Sequence, residues 1–311
     1  MSATSTGSPE QLQFLTELLE RGLLVASGTD GLFGRGALFE DIRLAFNRVV
    51  SRAAAPESAE ALHFPPLVPR RQIERTGYLG SFPHLAGTVF AFSGTESQAL
   101  EQQARAARHE DWSEFQAMTD LMLAPAACYP VYPAVAARGP LPADGVLIDV
   151  GSGYVFRHEP SPDPTRLQSF HLRELVRIGD PAAVRAWRDA WRDRGVELLR
   201  SLGLEPSPTT ANDPFFGRAG RMLAESQREH ALKFELHVPM VGPEPLAVAS
   251  FNYHQDHFGS AFDLRLADGG VAHSACLGFG EERVVLALLR THGFDVALWP
   301  APVRRVLWPV S

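Results

Sequence analysis

The fold of this 311-residue chain is decided by residues 155–178, which read VFRHEPSPDPTRLQSFHLRELVRI. Alternating side chains predict two extended strands joined by a proline-rich loop, with Arg157 and Glu159 on one face of the first strand. On the second strand, Glu174 shares a face with apolar neighbours: Phe170, Leu172, Val176 and Ile178. A carboxylate in that place needs a cation, a metal or several donors, because burying it unpaired costs several kcal/mol or a large rise in its pKa.

The composition is typical of a soluble globular protein with a substantial core, at 45% hydrophobic and 21% charged residues. The length allows one large domain or two ordinary ones. A formal net charge of −7 argues against broad binding to tRNA or DNA, which normally requires basic patches. No signal peptide opens the chain and no apolar run approaches the ~20 residues of a membrane span, so we expect a cytoplasmic protein without membrane contact.

The first half of the chain is predicted to contain helices and short strands interrupted by proline. Apolar stripes indicate helices at Glu10–Glu20 and Phe39–Ser51. The segment Ala61–Val68 is extended, and its prolines favour an edge strand or an interface. A helical region is expected over Glu96–Met122, followed by a short strand at Gly145–Val150.

After residue 178 the pattern becomes helical and rich in arginine. A helix is predicted over Asp180–Gly203 with Asp180 as its N-cap, and a second, polar helix from Arg218 to about Arg228. Together they are interpreted as a helical insertion, about 180–231, in a β domain. Strands are then predicted in three places: Leu232–Val238, Leu246–Tyr253 and Gly259–Leu266.

The last element, His273–Leu289, reads HSACLGFGEERVVLALL and joins a strand to an apolar helix. Arg283 lies in the first turn of that helix, where a cation opposes the helix macrodipole. Its position becomes favourable when an anion binds there, and the free N–H groups of a helix start suit a phosphate.

Cys128 and Cys276 are the only cysteines of the chain. Counting alone favours two buried free thiols or one disulfide. A reducing cytoplasm argues against the disulfide.

Several motifs follow one another in an order that carries a family resemblance. A helix with a proline-containing strand precedes FRHE, a loop, RLQSF and finally GFGEER. This set resembles motifs 1, 2 and 3 of the class II aminoacyl-tRNA synthetases, and LAPAACYP and FHLRE are similar to segments of seryl-tRNA synthetase. The resemblance covers nearly the whole chain from about Leu12. It implies an α+β fold with a largely antiparallel sheet flanked by helices, and a homodimer interface at motif 1, Phe39–Val68.

The chain departs from those synthetases in its acidic charge and in the expected lack of a tRNA-binding domain. With FHLRELVRIGDP, TANDPFFGR and SFNYHQDHFG, this combination resembles the amino acid:[carrier protein] ligases. The resemblance implies a single catalytic domain, 1–311, that activates glycine or alanine with ATP and loads it on the phosphopantetheine thiol of a carrier protein, forming AMP and pyrophosphate. The alternatives are tRNA aminoacylation and a non-catalytic zinc-binding paralogue. Acidity disfavours the first, and the presence of Arg157 and Arg283 disfavours the second.

The resemblance also implies a nucleotide site with Arg157 and Arg283 as the catalytic residues. Arg157 would hold the α-phosphate and the substrate carboxylate, a task suited to a planar fork of donors. Glu159 would accept a hydrogen bond from the adenine amino group, and Phe170 and Arg283 would enclose the ring. Further nucleotide contacts are expected from Arg166, Leu167, Lys233 and Ser250. Mg²⁺ is expected with the triphosphate. The ordinary alternatives are an ion pair for Arg157 and Glu159 and core packing for Phe170.

One zinc ion per subunit is implied, with three protein ligands: Cys128, Glu174 and Cys276. Three ligands leave one position open, which is the pattern of a functional rather than a closed structural site. The family implies that the substrate amino group takes that position. Asp213 is expected to contact the amine or the adenylate, or to cap a helix, while His254 and His257 are interpreted as supporting residues rather than ligands.

The arginine-rich helix of the insertion is the expected dock for an acidic carrier protein, through Arg185, Arg188 and Arg192. The ordinary alternative is a solvated surface helix. No general base for the transfer step is evident in the sequence.

Overall fold

The strands of this computed structural model, which describes residues 7–217, 222, 225, 227–242 and 244–309, form three sheets. Numbered along the chain, they are β1 (Leu24–Thr29), β2 (Leu32–Arg35), β3 (Glu60–Ala61), β4 (Leu67–Pro69), β5 (Thr88–Phe92), β6 (Gln116–Leu123), β7 (Val146–Phe156), β8 (Ser169–Gly179), β9 (Ser207–Thr210), β10 (Lys233–Val238), β11 (Leu246–Gln255) and β12 (His273–Gly280). The central sheet has the order β3–β7–β8–β12–β11–β10–β9, and all its pairs are antiparallel except β3 with β7.

Helices flank this sheet on both faces, and others lie beside the three-stranded sheet. They are α1 (Pro9–Glu20), α2 (Ala37–Ala54), α3 (Arg70–Arg75), α4 (Tyr78–Ser81), α5 (Glu96–Ala107), α6 (Val131–Ala136), α7 (Pro181–Ser201), α8 (His257–Phe262), α9 (Glu281–His292) and α10 (Ala301–Leu307). No helix in the described part of the chain is long and apolar enough to cross a membrane.

The alternation of β8 distributes its side chains between two hydrophobic cores. Leu175 belongs to the larger core, which α2, α7 and α9 form on one face of the sheet. Val176 and Ile178 belong to a second core on the other face, which includes residues of α6 and α8. The strand is therefore covered on both sides, and Glu174 is buried with only 3% of its surface exposed.

A glycine on a neighbouring strand makes room for Glu174 in the middle of the sheet. Glu174 pairs with Gly151 of β7 on one side and with Gly278 of β12 on the other. A methyl group at Gly278 would lie 3.3 Å from Glu174 Oε1, closer than side chains normally approach. The glycine of the GFG sequence thus leaves space for the carboxylate.

Most predicted elements are present with shifted ends, but one predicted helix and one predicted strand are wrong. The helix expected over Glu96–Met122 ends at Ala107, because the chain turns through His109 with a positive φ of 57° and then enters β6. The strand expected over Gly259–Leu266 is the short helix α8 followed by a turn. Gly259 faces the backbone of Ala272 so closely that a methyl group would lie 2.0 Å from its carbonyl oxygen.

The predicted hairpin is correct for β8, but β7 ends at Phe156. Arg157 and Glu159 therefore lie in the loop just beyond the strand rather than on its face. In the segment 180–231, α7 packs against β11 and β12 and β9 joins the sheet edge. Most of the helix predicted over residues 218–228 lies outside the described residues.

Candidate active site

A cleft of about 500 Å³ opens beside β8 on the face that carries Glu174. Eleven of the twelve side chains selected from the sequence line it: Cys128, Arg157, Glu159, Leu167, Phe170, Glu174, Asp213, Lys233, Ser250, Cys276 and Arg283. The remaining one, Arg166, is half exposed and lies 3.4 Å from Glu159 as an ion pair at the rim. Residues from widely separated parts of the sequence thus meet in one cavity.

The two motif arginines are held in place by backbone carbonyls. Arg157 Nε donates to the Pro125 carbonyl over 3.1 Å, and its guanidinium lies 5.6 Å from the centre of the Phe170 ring. Arg283 donates to the carbonyls of Thr165 and Ala247 over 2.9 and 3.0 Å. Burial lowers the pKa of Arg283, and the charge of Arg157 lowers it further. Two cations facing one cleft favour an anionic ligand.

The start of α9 is fixed to β8 by a buried carboxylate beside Arg283. Glu282 Oε2 accepts from the His171 backbone N–H over 2.8 Å, while Oε1 lies 2.7 Å from His171 Nδ1 and accepts from Arg35 Nη1 over 3.1 Å. Because β8 carries Phe170 next to His171, these bonds set the separation between Phe170 and Arg283. The sequence pattern indicates no such role for Glu282 or His171.

A cluster of two thiols and a carboxylate lies at the other end of the cleft. Cys128 and Cys276 are buried free thiols, and Glu174 Oε2 is buried without a hydrogen-bond partner among the described residues. Burial, together with the charge of Cys276, raises the pKa of Glu174 to about 8. The hydrogen bond between the thiols raises the pKa of the donor, Cys128, and lowers that of the acceptor, Cys276.

Polar side chains of the neighbouring strand β11 contact Cys276 of this cluster. His254 Nε2 and Asn252 Nδ2 each lie 3.5 Å from Cys276 Sγ, and His254 Nδ1 lies 3.1 Å from Ser274 Oγ. This position agrees with a supporting role for His254. Within the described residues, no three His, Cys, Asp or Glu side chains are already arranged to hold a metal ion.

Asp213 and Lys233 form an ion pair in the cleft wall, in which Lys233 is buried and Asp213 is partly exposed. Asp213 accepts from Lys233 Nζ over 2.6 Å and from Gln227 Nε2 over 2.8 Å, and Lys233 also lies 3.0 Å from Glu235. Burial alone would raise the pKa of Asp213, but Lys233 and Gln227 hold it below its ordinary value. In Lys233, burial is likewise outweighed by Asp213 and Glu235, which raise its pKa. Both residues therefore remain charged.

An aromatic wall of four side chains was missed in the sequence: Tyr78, Phe82, Tyr129 and Phe215. The rings of Phe82 and Phe215 stack at 5.1 Å, and the Phe216 backbone N–H donates to the Ser81 carbonyl over 2.8 Å. These contacts join α4 to the loop that carries Asp213. The segments carrying these rings have neither a period nor a charge pattern that would distinguish them from ordinary core.

The chain has the fold of the catalytic domain of class II aminoacyl-tRNA synthetases. The seryl-tRNA synthetase of Methanopyrus kandleri, solved with a tRNASec of A. aeolicus, superimposes with a TM-score of 0.80 at 21% identity over 99% of this chain and 61% of that one. Prolyl-tRNA synthetase of Giardia lamblia, solved with prolyl-adenylate, gives 0.67 at 14% identity over 92% and 54%. The predicted fold class is confirmed. No family model matches the chain.

Sequence relatives then give the family. The chain is 48% identical over 281 residues to amino acid–[acyl-carrier-protein] ligase 2 of Bradyrhizobium diazoefficiens, covering 90% of this chain and 84% of the relative. It is 46% identical over 288 residues to ligase 1 of the same organism, covering 92% and 87%. A type-2 serine–tRNA ligase of Methanopyrus kandleri is 26% identical, and only 54% of its length is covered. The chain belongs to the amino acid–[acyl-carrier-protein] ligase family, as its motifs predicted.

Proposed function

We propose that this ligase activates glycine or alanine with ATP and transfers it to the phosphopantetheine thiol of a carrier protein. In the first step, a carboxylate oxygen of the amino acid attacks the α-phosphorus, and the bond to the β-phosphate breaks to release pyrophosphate. In the second, the thiol sulfur attacks the acyl carbon, the bond to AMP breaks and the thiol proton is lost. The names of the two Bradyrhizobium relatives support the carrier as acceptor.

The observation that carries this proposal is that two phosphate-directed arginines and the Glu174 cluster face one cleft. Arg157 lies between Arg283 and the Glu174 cluster, where it can neutralise the α-phosphate and align the substrate carboxylate. Such alignment is worth several kcal/mol of the activation barrier. Phe170 and Arg283 would enclose adenine, with Glu159 accepting from its amino group. Arg166, Leu167, Lys233 and Ser250 would line the rest of the nucleotide, which enters with Mg²⁺.

The residues at the closed end of the cleft fit a zinc ion. Glu174 Oε2 has no partner among the described residues, and the two neighbouring thiols are soft donors that zinc prefers. Cys128, Glu174 and Cys276 would hold the ion, and His254 and Asn252 would support Cys276. When bound, the ion would supply a position for the substrate amine. Asp213, which faces the same space, would complete the amine site.

A small amino acid suits this arrangement, because glycine presents almost no side chain to recognise. Capture through the amine and carboxylate uses the two groups that every amino acid has. The residues that line the cleft near the cluster would then exclude larger side chains sterically. A pocket excludes a side chain that is too large more sharply than it distinguishes two side chains that differ by one methylene group.

The carrier would approach through α7, and motif 1 would join two chains into a homodimer. Arg185 is exposed on α7, and acidic carriers are attracted to such a surface. In motif 1, Leu44 and Leu67 are exposed apolar side chains of the kind that a subunit interface covers. Both assignments concern surfaces outside the cleft.

The test is amino-acid-dependent exchange of pyrophosphate into ATP across the twenty amino acids. Exchange is expected with glycine or alanine and not with larger residues. A pantetheinylated carrier protein and total tRNA are then offered separately, and the carrier is expected to be loaded. Loading of tRNA alone would replace the proposal by a synthetase function, and absence of exchange with every amino acid would leave a non-catalytic paralogue.

A further inference from the structure

Tyr78 lines the cleft and carries a hydroxyl that has no partner among the described residues. The residue begins α4 directly after Gly77, whose positive φ of 69° allows the chain to turn there. Its ring is packed 5.1 Å from Phe82 and 5.7 Å from Tyr129, and the residue is only 6% exposed. The residue lines the cleft, and its hydroxyl is buried without a hydrogen-bond partner among the described residues.

Packing alone does not explain the hydroxyl. Tyr78 belongs to a small apolar core with Val68, Ile73 and Leu85, and the ring of a phenylalanine would fill the same space. A buried hydroxyl without a partner costs free energy in the unliganded protein. A ligand that accepts its hydrogen bond would recover that free energy on binding, so the hydroxyl indicates a contact made only in the complex.

The position of Tyr78 indicates which part of the ligand it meets. Tyr129 follows the candidate ligand Cys128 in the chain, so the wall formed by Tyr78 and Tyr129 lies toward the amino-acid end of the cleft. Arg157, Glu159 and Asp213 are close enough to act electrostatically on the phenol, while burial is the main cause that raises its pKa to about 12. The hydroxyl thus remains protonated near neutral pH and can donate a hydrogen bond.

We propose that Tyr78 Oη donates a hydrogen bond to the substrate carboxylate oxygen that becomes the carbonyl oxygen of the aminoacyl-adenylate. This inference rests on the proposed function and adds a residue to it. The carboxylate must lie between the amine, held near Glu174, and the α-phosphorus, held near Arg157. When the thiol attacks, negative charge develops on the carbonyl oxygen, and a fixed donor stabilises that charge. Tyr78 is then a catalytic residue of both steps.

The test is Tyr78→Phe, with Tyr154→Phe as the matched control. Tyr154 is 46% exposed and lies outside the cleft, where its hydroxyl accepts from Arg35. Because the Tyr78 hydroxyl lacks a partner among the residues that the structure describes, its loss is expected to leave the melting temperature of the free protein unchanged or higher. We expect kcat/KM for the amino acid in pyrophosphate exchange to fall about 10- to 100-fold, while KM for ATP hardly changes. Single-turnover transfer from preformed adenylate to a pantetheinylated carrier should slow as well.

Three results would overturn the assignment. Exchange and transfer by Tyr78→Phe at the wild-type rate would show that the hydroxyl makes no contact with the substrate. A lower melting temperature with activity lost in proportion to unfolded protein would show a structural role. If the wild-type chain exchanges pyrophosphate with no amino acid, the proposed function fails first, and the role of Tyr78 fails with it.

Discussion

Glu174 is a carboxylate in the middle of a seven-stranded sheet, and its surroundings account for that position. Gly278 on the neighbouring strand β12 leaves it space, and two thiols lie beside it. One oxygen has no partner among the described residues. A buried carboxylate of this kind lowers the stability of the folded protein. The geometry therefore suggests that Glu174 is present because it binds a ligand.

Replacing Glu174 by Gln is expected to reduce amino-acid-dependent pyrophosphate exchange by at least about 100-fold. Even the replacement of a residue that only supports a metal ligand lowers metal affinity or activity about 10- to 100-fold. Zinc content should fall and ATP binding should persist, since the proposed nucleotide contacts include Arg157 and Arg283 rather than Glu174. Elemental analysis, exchange kinetics and titration with ATP measure the three effects. Glu110→Gln, an exposed change that removes a surface pair with Arg108, is the control. Full zinc with retained activity would contradict the metal assignment.

Replacing Asp213 by Asn should lower the free energy of unfolding by about 1–2 kcal/mol at pH 7, a modest amount because the carboxylate is about one-third exposed. The folded pKa of Asp213 is depressed, so its contribution is present above the unfolded pKa of ~3.9 and is lost as the pH falls through the lower folded value. The difference between wild type and variant should therefore shrink below about pH 4. Urea unfolding from pH 3 to 7 measures it, and a difference independent of pH would exclude the ion pair as its cause.

At the scale of the element, α7 combines a structural face with an exposed one. Trp191 is fully buried in the main core, and the side chain of Arg188 is only 3% exposed, with its guanidinium donating to the carbonyls of Ala231 and Leu232. Arg188 therefore holds the helix to the chain before β10. Of the three arginines predicted to meet a carrier, only Arg185 and Arg192 retain accessible surface.

Reversing the charge of Arg185 and Arg192 together to Glu is expected to slow carrier loading about 10-fold or more by weakening electrostatic attraction. Pyrophosphate exchange should be unchanged, since neither side chain lines the cleft. Arg200→Glu reverses an exposed charge at the far end of the same helix and serves as the control. Loading should recover partly when a less acidic carrier is used. Equal loading by the double variant and the control would exclude this helix as the dock.

At the scale of the molecule, the central sheet and its two cores bring motifs 2 and 3 together, while α2 packs against α9 and α10. Motif 1 is thus connected to the helix that begins with Arg283. Light scattering on the purified chain is expected to give twice the mass of 34.0 kDa. Leu44→Glu, which places a charge on the exposed side of α2, should shift that mass toward one chain, whereas Leu298→Glu, exposed near the C-terminus, should not. A fully active single chain would contradict the dimer.

The sequence by itself determined the class of fold and the family, because the motifs that indicate both are short segments that follow one another in a characteristic order. Motifs 2 and 3 are short stretches in which strand alternation, a loop and a glycine-rich helix start can be read directly. The period of two along β8 correctly placed Phe170, Leu172 and Glu174 on one face. Local patterns predicted secondary structure less reliably where tertiary contacts determine it, as in the segment 96–122 and at Gly259.

Only the tertiary structure decided which side chains meet without a signature in the sequence. Arg188 looked like a surface charge and is buried, since the chain before β10 returns across α7. The sequence around Tyr78 shows no periodic pattern and no partner residue that could have indicated the proposed role of its hydroxyl. Its role follows from the space around it, because burial and the absence of a hydrogen-bond partner among the described residues are properties of the packed molecule rather than of any segment.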